Sequence, residues 1–140
     1  PRGHPRADRA VVDLADPAGV PLAQQFPGML LRRQIDALME AHDVAPGREV
    51  LTGSSQLAQH LVANGAGLTI IDRLSVLAMD SHRVTSRPLT PTRWVAFGVI
   101  RHRGDDPDPL VQALTDMLRD QVAACAVPGS IEMLNPDDPV

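Results

Sequence analysis

Residues 52–71 read TGSSQLAQHLVANGAGLTII, and the fold turns on which end of the central segment its glycines occupy. Leu57, Ala58, Leu61 and Val62 recur at helical spacing, which predicts a helix with Gln56, Gln59, His60 and Asn64 on its other side. Asn64 and Gly65 tolerate left-handed backbone and end that helix. The β-branched burst GLTII, residues 67–71, then reads as a buried strand. Gly65 and Gly67 therefore follow the helix, whereas a dinucleotide fingerprint needs its glycines ahead of one, where backbone donors face a pyrophosphate. Turn geometry accounts for them instead.

The other end of the same helix is the candidate site. Thr52, Gly53, Ser54 and Ser55 lie where a strand candidate, REVLT, meets a helix N-terminus. In open α/β sheets ligand crevices lie at the carboxyl ends of strands, and free N–H groups there favour a carboxylate or phosphate. Helix capping by Ser54 or Thr52 is the plainer use of the same residues.

Working outward, Leu31, Ile35, Leu38 and Met39 form an apolar stripe against Arg32, Arg33, Asp36 and Glu40, an amphipathic helix over 29–42 that DVAPG ends. Before it, GVPLA reads as a short buried strand and QQFPG as a loop. The opening PRGHPRADRAVVDLADPAG suggests an extended run and a helical turn, capped by Asp13 or Asp16 with Pro17 first in the turn. After the central segment, DRLSVLAM starts a short helix at Asp72, and HRVTSRPL reads as an edge strand stopped by Pro88. RWVAFGVIRH is the most strand-like run in the chain, closed by the turn RGDDPDP. Leu110, Val111, Leu114, Met117, Leu118 and Val122 then mark a helix over 109–124, and residues after Val127 read as a loose tail. Strands alternate with helices, which implies an α/β fold with a largely parallel sheet.

The chemistry that composition excludes is as informative. All 13 basic residues among the 140 are arginine, so there is no lysine for a Schiff base or a P-loop. A net charge of −4 gives no general basic field for a nucleic-acid backbone, and Arg93, Arg101 and Arg103 read as solvated charges. With two Phe, one Trp and no Tyr, a base-stacking platform is nearly unavailable. The single Cys125 permits no internal disulfide and reads as a small buried hydrophobe. His4, His42, His60, His82 and His102 are scattered without ligand spacing, and Asp105, Asp106 and Asp108 read as a solvated turn rather than a calcium loop. The serine-hydrolase elbow is absent, because Leu57 stands where its second glycine is needed. No catalytic site, metal site or cofactor site assembles, and no run approaches a membrane helix. The expectation is a non-enzyme in a reducing cytoplasmic setting.

Three runs in this order, PRGHPRADRAVVDLADPAGVPL, SSQLAQHLVANGAGLTIIDRLSV and WVAFGVIRHRGDDPDPLVQALTDML, resemble the effector-binding domain of LysR-type transcriptional regulators. The resemblance spans residue 1 to about residue 122. It implies a periplasmic-binding-protein-like (type 2) α/β fold, two lobes with a small effector between them. On that reading residues 1–93 are the second lobe, 94–126 the strand and helix returning to the first lobe, and 127–140 a flexible tail. The chain lacks the winged helix-turn-helix and half of the first lobe, so DNA is contacted only through an N-terminal domain outside it. Carried over by position, the loop holding Gln24, Gln25 and Phe26 borders the cleft, and Thr52, Gly53, Ser54 and Ser55 face it. The implied partners are a small-molecule effector, a carboxylate or other small anion, and a second copy of the chain in a homodimer. A solute-binding fragment of the same fold is the alternative, and a small α/β enzyme the third reading.

Overall fold

The computed structural model describes residues 1–79, 82–100 and 108–134. The chain divides into two compact units, Pro1–Val95 and Ala96–Val140.

The first unit is a small parallel α/β layer structure. Strand β1 is Val12–Asp13, β2 Leu22–Gln25, helix α1 Leu30–Ala41, β3 Glu49–Thr52, α2 Ser55–Ala63, α3 Arg73–Leu77 and β4 Leu89–Thr90. β2 pairs in parallel with β3 in the register Leu22↔Glu49 to Gln25↔Thr52, and β1 pairs in parallel with β4. The strand pair β2–β3 lies between two helices, as alternation along β2 requires. Leu22 joins Leu14, Ile35, Leu38 and Met39 in the core on the α1 side, while Ala23 packs with Ala58 and Val62 of α2. Each large aliphatic side chain buried this way contributes about 1.5–3 kcal/mol.

Local chemistry sets the helix ends. Ser54 caps α2, its Oγ accepting from Leu57 N at 3.2 Å, and Asp72 caps α3 by accepting from Ser75 N. At the far end of α2, Gly65 N donates to Val62 O and Ala66 N to Leu61 O, with Gly65 at φ +88. These paired bonds satisfy the last carbonyls of the helix. Asn64 keeps a right-handed φ of −103, so Gly65 alone makes the reversal.

Several expected elements differ. Residues 67–71 form no strand; Leu68 makes one isolated parallel bridge to Leu22. The proposed edge strand over 82–89 reduces to β4, which begins after Pro88 because Pro88 O accepts from Val12 N and Pro88 itself has no N–H to give. The proposed helical turn near Asp13 is instead β1 followed by a hydrogen-bonded turn, in which Asp13 Oδ1 accepts from Ala15 N. Gln24 and Gln25 lie on β2, not in a loop. Gln59, expected on the solvent side of α2, is buried and donates to Ser75 O at 2.9 Å.

Asp16 clasps the opening segment through Arg9, Arg6 and the Asp13 amide. Burial pushes its carboxyl upward, but the Asp13 amide and the Arg9 and Arg6 guanidinium groups outweigh that and hold it below its ordinary 3.8. A depressed carboxylate contributes stability above its unfolded pKa and loses it as pH falls through the folded value. Urea midpoints measured from pH 5 downward should therefore fall more steeply for the wild type than for Asp16→Asn.

In the second unit, helix α4 is Pro109–Ala124, with Asp108 accepting from Leu110 N and Pro109 at the first turn. Residues 93–100 form no strand, and no backbone hydrogen bond joins them to a described residue. A strand needs a neighbour to receive its backbone groups; the run has the composition but no partner. Residues 101–107, including Arg101, His102, Arg103, Asp105 and Asp106, lie outside the described residues. The expected loose tail starts in order: Val127 and Ile131 bridge, and Ile131 is buried.

Candidate functional site

β2 and β3 run side by side, so their carboxyl ends deliver the two expected groups of residues to one place. Gln25 is paired with Thr52, and Phe26 N donates to Thr52 O at 3.0 Å just beyond the strand. Across this end the Gln25 side-chain amide donates to Ser55 Oγ at 2.9 Å. Thr52 is fully buried and its hydroxyl donates to Ser54 O, which fixes the bend into α2 rather than capping it. Gly53 is exposed at that bend. A Cβ there would meet only the Phe26 ring, at 3.8 Å.

The seven residues therefore divide by role. Gln24 is only 2% exposed and spends its amide N–H on Glu49 Oε1, at 2.9 Å, so it supports the strand end from beneath. Ser54 Oγ is committed to Leu57 N. Phe26 is half exposed and Gly53 lies open beside it. At the start of α2, Leu57 N takes Ser54 Oγ and Ala58 N takes Ser54 O, while no described acceptor meets Ser55 N or Gln56 N. Those two amides, at the positive end of the helix dipole, are the groups able to receive an anion.

Electrostatics at this end rest on one arginine that pattern reading put on the polar side of α1. Arg32 is 8% exposed, and its guanidinium bonds Asp36 Oδ1 at 2.7 Å, Glu49 Oε1 at 2.9 Å and the Gln25 carbonyl at 3.4 Å. Two carboxylates more than neutralise it. An anion here would thus be held by backbone amides and not by this arginine. The signal for its burial was present in the sequence, since 32, 35 and 39 share a helical stripe. Among the described residues no group of three His, Cys, Asp or Glu side chains is arranged to hold a metal ion, and no helix is long and apolar enough to cross a membrane.

No curated protein matches the chain significantly. A family model described as the LysR substrate binding domain matches residues 1–123. A match over most of its length, with the parallel α/β layers beside it, leads to one conclusion: the chain belongs to the LysR substrate binding domain family, whose members have the periplasmic-binding-protein-like type 2 fold and serve transcription regulators as their effector-binding part.

Proposed function

We propose that this chain is the sensing part of a bacterial LysR-type regulator and that it takes a small carboxylate or similar small anion at the carboxyl ends of β2 and β3. DNA is bound through an N-terminal domain outside this chain, the regulator works in the cytoplasm, and the sensing part functions as a homodimer. The observation that carries the ligand class is the pair of uncommitted amides, Ser55 N and Gln56 N, beside the exposed Gly53 and the Gln25–Ser55 bond. The family match supports the regulatory reading over that of a solute-binding fragment or an enzyme.

The test uses a position that the fold leaves free. Gly53→Asp adds a carboxylate in front of the two amides without steric conflict, because only the Phe26 ring lies near and a charge of this sign suits a helix N-terminus. Calorimetry against acetate, benzoate, citrate and phosphate should show about tenfold weaker binding or none, with thermal stability kept. Ser55→Ala should weaken the same ligand by about 1 kcal/mol, the worth of one buried hydrogen bond. Equal affinities in all three proteins would remove the anion site and leave these residues a capping role only.

A further inference from the structure

Along β2 the even-numbered residues turn their backbone groups to β3: Leu22 N donates to Arg48 O and Phe26 N to Thr52 O. The odd ones face the opposite side, where Ala23 N donates to Leu68 O. A continued ladder would give the Gln25 carbonyl a partner from the chain beyond Leu68. It stops after the single Leu22↔Leu68 bridge, and residues 69–71 lie against Gln25 and Arg32 across a narrow seam too tight to hold a water molecule. Thr69 Oγ1 is buried without a hydrogen-bond partner. Arg32 Nη1 occupies the vacated place, donating to the Gln25 carbonyl while Nη2 and Nε hold Glu49 and Asp36.

We propose that Arg32 is a positioning residue for the effector site. It substitutes for the missing ladder bond at the end of β2, fixes the orientation of Gln25, and through the Gln25 amide sets Ser55 Oγ at the mouth of α2. It works from the α1 side of the sheet and touches no ligand. Glu49 serves the same end, since its Oε1 accepts from Arg32 and from Gln24 together. Only a planar fork of donors reaches three acceptors on three elements at once, so lysine keeps the charge and loses the geometry. The functional meaning rests on the anion-binding reading above; the control of Gln25 does not.

The test is nitrogen-15 NMR of the whole chain with and without inorganic phosphate. Arg32→Lys should displace the Gln25 side-chain amide signals and the backbone amides of residues 53–56, on the far side of the sheet. Asp36→Ala, which removes an acceptor from the same guanidinium but leaves the Gln25 bond, should leave them in place. Unmoved signals in the lysine variant would overturn the proposal. Should that variant not fold, Arg32→Met with Glu49→Met removes both partners together, so that no guanidinium is left unpaired in the interior, and the same signals decide. Phosphate affinity should fall about fivefold in Arg32→Lys, the worth of one hydrogen bond. Phosphate that fails to bind the wild type would refute the anion reading alone, because the amide signals judge Arg32 independently.

Discussion

Replacing Gly67 with alanine is expected to destabilise the first unit by about 3 kcal/mol or more, combining backbone strain and overpacking of about 1–3 kcal/mol each. Gly67 has φ +116, and a Cβ there would lie 2.0 Å from Pro21 O and 2.8 Å from the Pro21 carbonyl carbon. Both are backbone atoms, so no rotamer relieves the clash. The close approach exists because Leu68 N donates to that same Pro21 oxygen at 2.9 Å, the bond that lays the chain beside β2. Gly65 is the internal control: its φ is also positive, but a Cβ would meet nothing within 4 Å. Gly65→Ala should cost only about 1–2 kcal/mol, the price of left-handed backbone. Urea unfolding of the two variants separates the accounts, and equal losses would show that the Pro21 contact yields without strain.

That contrast also marks what a sequence makes legible. The end of α2, the caps Ser54 and Asp72, and the stripes of α1 and α4 follow from rules that operate within one turn of helix. Such rules need no knowledge of neighbours. Residues 67–71 and 93–100 carry strand composition, yet strand formation depends on a second chain segment at the right distance, and composition is silent on that. Leu68 finds one bridge and residues 93–100 find none among the described residues.

The candidate site shows the same division. Thr52, Gly53, Ser54 and Ser55 were legible because a strand-to-helix junction is a local pattern, and the Gln25–Thr52 pairing then brings Gln25 and Phe26 beside them. The individual roles were not legible. Thr52 braces the bend and does not cap α2, and Gln24 is sealed under the strand end by Glu49. The charge of Arg32 alone points to the polar face of α1. Its position in the 32, 35, 39 stripe decides otherwise, and two carboxylates and a carbonyl make that burial tolerable.

The helix of the second unit sets the remaining expectation, which concerns assembly. In α4, Leu110, Leu114, Met117 and Leu118 follow the spacing of one helical face and all four are exposed, Leu110 to 80%. Of its 16 residues, only Thr115 is buried, and its hydroxyl donates to Val111 O within the helix. Helices of about this length are marginal in water and usually depend on packing of an apolar face. Burial of each large apolar side chain is worth about 1.5–3 kcal/mol, so four uncovered on one face are a strong drive to associate. A second copy satisfies that drive symmetrically, in keeping with a family whose members are generally oligomeric. Light scattering and sedimentation of the chain should show dimer at high micromolar concentration, and Leu114→Asp should weaken it at least about tenfold, since a carboxylate in an apolar contact costs more than 1.4 kcal/mol. The variant should also lose helicity and unfold at lower temperature, because the face that stabilises α4 is then wet. A monomer throughout, with Leu114→Asp matching the wild type in solubility and melting, would refute the dimer and show that capping by Asp108 and Pro109 suffices to hold the helix.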